Sequence, residues 1–232
     1  PGTGKTYLAK QIASEIGKYK FVQFHPSYDY TDFVEGLRPK NDNGNIGFER
    51  KDGVFKEFCK EALNNQSSNF VFIIDEINRG EISKIFGELF FSVDSGYRGE
   101  KGKVQTQYAN LIEDGDEFKD GFYIPENVYI IGTMNDIDRS VESMDFAMRR
   151  RFAWKEIKAE DTQETILNDL GDLKDETIKR MNNLNKVIRN KETNLSEAYC
   201  IGAAYFKKIK DYEGDFNKLW ENHLKGLLFE YT

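Results

Sequence analysis

Residues 70–78 read Phe-Val-Phe-Ile-Ile-Asp-Glu-Ile-Asn, five apolar side chains without alternation followed by two adjacent carboxylates. An unbroken apolar run rich in β-branched and aromatic types predicts a strand buried on both faces of a parallel sheet. Asp75 and Glu76 then fall at its carboxyl end, where open α/β sheets hold their ligands and where two acids can manage a metal ion and a water.

The chain opens with Pro1-Gly2-Thr3-Gly4-Lys5-Thr6, the second half of a phosphate-binding loop of the form G-x-x-x-x-G-K-[ST]. Gly2 and Gly4 let the backbone aim N–H groups at a phosphate, with Thr3 between them. In this motif Lys5 reaches the β and γ phosphates and Thr6 ligates Mg²⁺. The first glycine of the pattern and the strand feeding the loop would precede residue 1, so the chain is expected to be a portion of a longer protein. A glycine-rich turn before a helix is a weak signal alone; coupled to an apolar strand ending in Asp-Glu some seventy residues later, it points to a nucleoside triphosphate.

A formal net charge of −7 argues against an independent nucleic-acid binder, which usually carries a basic patch. The two cysteines, Cys59 and Cys200, form neither a disulfide framework nor a zinc motif and read as reduced thiols of a cytoplasmic protein. Apolar runs fall short of the roughly twenty residues of a membrane helix, and no signal peptide is visible.

Along the chain, Leu8, Ile12, Ala13 and Ile16 recur at helical spacing after the phosphate loop. A strand is expected over residues 20–24, ended by His25-Pro26-Ser27 and followed by a turn crowded with Tyr28, Tyr30 and Phe33. A lone histidine at a strand end reads as a packed or capping residue rather than a base. Residues 37–53 suggest an inserted hairpin around Gly44-Asn45, a disordered loop being the alternative, before a helix over 54–63. Ile82, Ile85, Phe86, Leu89 and Phe90 predict an amphipathic helix, and residues 96–121 a second polar insertion suited to a surface loop or a pore-facing element. A short strand over 128–131, a helix over 141–148 ending in Arg149 to Arg151, and a last strand over 152–157 complete the α/β pattern. From about Ala159 the texture is helical only, with one stripe of Ile178, Met181, Leu184 and Ile188 and another of Phe216, Leu219, Trp220, His223, Leu227 and Tyr231. The expected division is a nucleotide-binding α/β domain over 1–157 and a helical lid over 158–232.

Four segments resemble the AAA+ ATPases, and within them the McrB-type GTPase subunit of modification-dependent (5-methylcytosine) restriction systems: FVQFHPSYDYTDFVE at 21–35, FIIDEINRG at 72–80, GTMNDIDRS at 132–140 and DFAMRRRF at 145–152. They stand in family order, and the Met-Asn-x-x-Asp-Arg-Ser run is the most specific. Asp136-Ile137 replaces the Thr-Ala of better-known members, and no arginine is assigned to the second sensor position of the helical domain.

The resemblance implies a P-loop NTPase sheet flanked by helices, with its first strand missing, and a small all-helical lid. That missing strand would lie between those of 128–131 and 152–157, and at about 4.8 Å per strand its loss leaves a gap that should keep the fragment from folding well alone. The implied activity is Mg²⁺-dependent hydrolysis of GTP or ATP, powering DNA translocation beside a separate McrC-like nuclease subunit. Asp75 would hold the metal, Glu76 would polarise the attacking water, Asn135 would sense the γ-phosphate, and Arg139 would steady the signature. Arg150 and Arg151 would enter a neighbour's site as an arginine finger, which requires a ring, expected to be a hexamer; a solvated helix end is their plainer reading. A MoxR-like ATPase that remodels protein complexes and a slow nucleotide-binding assembly scaffold are the competing functions.

Overall fold

The computed structural model describes residues 1–42, 44–135, 137 and 146–231. They form two compact units: residues 9–134 with 146–154, and residues 1–8 with 135, 137 and 155–231. Helix α1 (Lys5–Ile16) starts in the second unit and runs into the first.

The first unit is built on a three-stranded parallel sheet. Strands β1 (Lys18–Gln23) and β5 (Val128–Gly132) flank β4 (Phe70–Asp75), giving the order β1-β4-β5. Between β1 and β4 lie α2 (Tyr30–Phe33), β2 (Glu35–Asp42), β3 (Asn45–Asp52) and α3 (Val54–Leu63). Every residue of β4 is buried. Phe70, Phe72 and Ile74 enter one core with Phe33, Phe55 and Phe58, while Val71 and Ile73 pack on Ala9 and Ala13 of α1. The unbroken apolar run therefore serves two faces at once, as a central parallel strand must. On α1 the buried stripe is Ala9 and Ala13; Ile12 and Ile16, expected inside, stand 40% and 38% exposed.

Helix α4 (Ile82–Phe86) is shorter than its apolar periodicity predicts. At Gly87 the backbone turns to φ +51°, and the chain continues as a 3₁₀ segment, Gly87–Val93. A Cβ at Gly87 would fall 2.8 Å from the Tyr30 ring, so a close approach fixes the break. Residues 96–121, expected to be a polar insertion suited to a surface loop or pore-facing element, are largely exposed but anchored: Val104 bridges Phe122, and Phe118, Phe122 and Ile124 are fully buried. Of the helix expected over 141–148, Phe146–Arg149 is described, as α5. The strand expected over 152–157 does not form. A strand needs a neighbour to take its backbone bonds, and β5 pairs with β4 alone among the described strands.

The predicted hairpin is present, β2 against β3 in antiparallel register from Glu35↔Asp52 to Asp42↔Asn45. Two-stranded ribbons are marginal on their own, and this one is pinned at its base by a buried charge clamp. Glu35 accepts hydrogen bonds from Lys56 Nζ (2.6 Å), Arg50 Nη1 (3.0 Å) and the Tyr108 N–H (2.9 Å), and both Glu35 and Lys56 are fully buried. Asp52 pairs with Arg50 and Lys60, and Asp116 with Lys60 and Arg50. Burial raises the carboxyls of Glu35, Asp52 and Asp116, but the donors around them outweigh it and hold all three below their ordinary range.

The second unit is helical apart from its first residues. It contains α6 (Gln163–Ile166), α7 (Lys174–Ile188), α8 (Ala203–Phe206), α9 (Phe216–Leu219) and α10 (Lys225–Phe229) around Met181, Ile188, Ile201, Phe206 and Leu219. A π turn at Trp220–Leu224 inserts an extra residue between α9 and α10. It carries Leu224 into the core and leaves Trp220, expected inside, 40% exposed. His223 instead hydrogen-bonds Tyr212 Oη at 2.9 Å. No helix of the described residues is long and apolar enough to cross a membrane.

Candidate functional site

The phosphate loop sits in the second unit. Gly2 and Gly4 both take positive φ, +69° and +78°, which side chains other than glycine rarely adopt. The Pro1 carbonyl accepts from the Gly202 N–H (2.8 Å), that of Gly2 from the Ala204 N–H (3.0 Å) and that of Thr3 from Thr162 Oγ1 (2.6 Å). Among the described residues all peptide bonds are trans. In a trans peptide N–H and C=O point oppositely, so the N–H groups of Gly2, Thr3 and Gly4 face away from the groups that hold the loop's oxygens. Backbone N–H groups so released around left-handed glycines are the makings of an anion nest. Lys5 Nζ donates to Thr3 Oγ1 at 3.3 Å, and Lys5 and Thr6 follow as the first residues of α1, with their side chains half-buried. The second glycine has a steric reason too: a Cβ at Gly4 would meet Ile166 Cδ1 at 2.5 Å.

The acidic pair belongs to the first unit. Asp75 closes β4, paired in register with Gln23 and 9% exposed. Thr133, just past β5, ties the corner together three times: its hydroxyl donates to Asp75 Oδ1 (2.5 Å), its N–H donates to the Ile74 carbonyl (2.9 Å), and its carbonyl accepts from the Ile77 N–H (2.9 Å). Glu76 then breaks from the strand at φ +51°, ψ +45°. For a residue with a side chain this left-handed conformation costs about 1–2 kcal/mol. It swings Glu76 out of the strand direction, over a pocket of about 290 Å³ lined by Gln23, Phe24, His25, Pro26, Glu76 and Arg79. Arg79 Nε donates to Glu76 Oε2 at 3.2 Å within the same chain.

Asn135 is half-buried just beyond Thr133 and Met134. Asp136 and Arg139 lie outside the described residues. The three arginines have different surroundings. Arg149 stacks over Trp154 (5.2 Å), Arg150 is exposed, and Arg151 turns inward, donating to the Ala147 carbonyl and lying 4.5 Å over the Phe90 ring. His25 is exposed, meets Tyr28 edge to face and lines the same pocket as Glu76.

Asp75 and Glu76 of the first unit offer oxygen only, as a hard cation prefers, and no group of three or more His, Cys, Asp or Glu among the described residues forms a metal cage. Mg²⁺ is usually bound in this way, through one or two protein oxygens and the substrate's phosphates. Two residues were missing from the sequence reading of the site. Thr133, in the Gly-Thr-Met-Asn run after an apolar strand, fixes Asp75; Gln23, opposite Asp75, lines the pocket.

A family model for an AAA domain of the dynein-related subfamily matches residues 1–152. The type IV methyl-directed restriction enzyme EcoKMcrB subunit of Escherichia coli (strain K12) is 41% identical over 218 residues, covering 89% of this chain and 45% of its own. The type II restriction enzyme BsuMI component YdiS of Bacillus subtilis (strain 168) is 26% identical over 196 residues, covering 72% of this chain and 57% of its own. The chain thus spans about half the length of these relatives.

Proposed function

The chain belongs to the AAA domain family, in its dynein-related subfamily, and from that we propose that it is the nucleoside-triphosphate-hydrolysing motor domain of a McrB-like restriction complex in the cytoplasm. The observation that carries the reading is the corner at the end of β4. A strand buried on both faces delivers Asp75, Thr133 clamps its carboxylate, and a left-handed turn throws Glu76 into a pocket. Phosphoryl transfer asks chiefly for positioning and charge neutralisation, and a rigid corner supplies the first.

In this reading the amides of Gly2, Thr3 and Gly4 cradle the phosphates of ATP or GTP, and Lys5 neutralises their charge. Bound with the nucleotide, Mg²⁺ offsets the negative charge that builds on the transferred phosphoryl group; Thr6 and Asp75 would hold it. Glu76 orients and polarises the attacking water, and Asn135 contacts the γ-phosphate or that water. Arg150, exposed at the end of α5, is the better candidate for a finger entering a neighbouring subunit, because Arg151 is engaged with Ala147 and Phe90. A finger in trans implies a ring, for which a hexamer is proposed. Cleavage of DNA falls to a separate McrC-like nuclease subunit, and DNA is met by the whole complex. Relatives drawn from two restriction systems favour this reading over a MoxR-like remodelling ATPase.

The test is turnover of GTP and ATP by the full-length protein against its Glu76→Gln and Arg150→Ala variants. Both variants should bind nucleotide as the parent does, with hydrolysis reduced by roughly a hundredfold or more. Parental turnover from Glu76→Gln refutes the assignment of the water-activating residue, and parental turnover from Arg150→Ala refutes the finger. Stimulation of hydrolysis by a nuclease subunit supports the restriction role, and indifference to it counts against that role.

A further inference from the structure

The charge clamp holds the hairpin upright yet leaves one of its faces without cover. Register places Pro39 opposite Phe48 and Asn41 opposite Ile46, and cross-strand partners share a face. Leu37, Pro39, Ile46 and Phe48 therefore form one strip. It is open to solvent, with Ile46 81% and Phe48 71% exposed. Apolar side chains gathered on an exposed ribbon, rather than scattered singly, mark an interaction surface.

From this strip Phe48, with Leu111 and the turn at 113–116, lines a groove of about 580 Å³. Its lining carries four carboxylates, Glu49, Glu113, Asp114 and Asp116, against the two cations Lys40 and Arg50. Lys40 lies beside Glu49 (3.5 Å) and Arg50 is committed to the clamp, while Asp114, almost fully exposed at the rim, keeps one oxygen on Lys119 (3.0 Å). Both walls are held: Arg50 of β3 and Asp116 of the turn belong to the same buried network, 3.4 Å apart. The width of the groove is thus set before anything docks, which lowers the ordering cost of binding.

We propose that this groove docks an extended segment of a partner protein in which arginine or lysine neighbours an aliphatic side chain. The aliphatic groups lie on Phe48 and Leu111, and the cation meets Glu113 and Asp114. A nucleic-acid strand would bring its phosphates against that acidic rim, and like charges across an interface discriminate against a partner. The surface is separate from the nucleotide chemistry, so it stands or falls on its own test.

The probe is a fluorescein-labelled peptide of repeated Arg-Leu-Gly, titrated with the full-length protein and followed by anisotropy. A repeated Glu-Leu-Gly peptide and an oligothymidine strand serve as comparisons. Phe48→Ser and the double variant Glu113→Lys with Asp114→Lys alter exposed side chains only, so melting temperature and basal nucleotide turnover should stay at parental values. Each should weaken the basic peptide by roughly tenfold. The proposal is overturned if the basic peptide fails to bind, or if both variants bind it within about twofold of the parent. It is equally overturned if the loss falls on the oligothymidine instead, or if the variants change only the assembly state, which would make a second copy the occupant.

Discussion

Replacing Lys56 by methionine removes one cation from a network in which cations and carboxylates balance. Lys56 and Glu35 are fully buried and 2.6 Å apart. Breaking a buried pair by deleting one partner costs about 3–5 kcal/mol, because the surviving charge is stranded out of water. Here Glu35 keeps Arg50 at 3.0 Å and the Tyr108 N–H at 2.9 Å, which places the expected cost at the low end, about 3 kcal/mol. The loss should appear where the clamp acts, at the base of the hairpin. Hydrogen exchange of the backbone amides of β2 and β3 should accelerate by roughly a hundredfold, since about 1.4 kcal/mol corresponds to a factor of ten. Adding Glu35→Gln removes the stranded charge and leaves an acceptor for Tyr108, so the double variant should recover most of the protection. If Lys56→Met changes hairpin exchange less than about threefold, or if the double variant opens as readily as the single, the clamp is not what holds the ribbon.

Thr133→Val keeps shape but deletes the hydroxyl on Asp75; turnover should fall roughly tenfold with nucleotide affinity retained, and unaltered kinetics would show that Asp75 needs no such fixing. Glu76→Gly should abolish hydrolysis while leaving the melting temperature no lower than the parent's, since glycine relieves the left-handed strain; a clear drop in melting temperature would contradict it. Glu35, Asp52 and Asp116 all have folded pKa values below their unfolded ones, so their contribution is complete above the ordinary carboxylate range, about pH 4, and is lost as pH falls through the lower folded values. Urea midpoints should therefore decline below about pH 4, and less so in the Lys56→Met, Glu35→Gln variant. Leu224→Ala should destabilise the helical unit by about 2–5 kcal/mol, against a smaller effect for Trp220→Ala. The reverse order would argue against the π turn.

Much of this was legible in one dimension. The run at 70–78 announced a strand with two buried faces because nothing in it alternates, and Gly44-Asn45 between two polar stretches announced the hairpin. What pattern could not show was where partners would be. Phe152 and the residues after it have the composition of a strand but find no paired edge. The periodicity from Ile82 to Phe90 holds, yet Gly87 lets Tyr30 press against the backbone and turns the helix there. Heptad-like counting past Trp220 fails by one residue because a π turn leaves no compositional trace. Most of all, nothing in the sequence pattern marks Glu35, Arg50, Lys56 and Asp116 as partners; only their convergence from four segments makes them an interior. At the site, the glycines, Lys5 and the Asp-Glu pair were visible as motifs, whereas Thr133 acts through three bonds that no motif encodes.

Those three bonds make Thr133 a rivet between two strands rather than a neighbour of one acid. Backbone and side chain are fastened on both sides of the Asp75–Glu76 step, so the step cannot drift independently of β5. A displacement of that strand along its axis would have to carry the acidic pair with it or break these bonds.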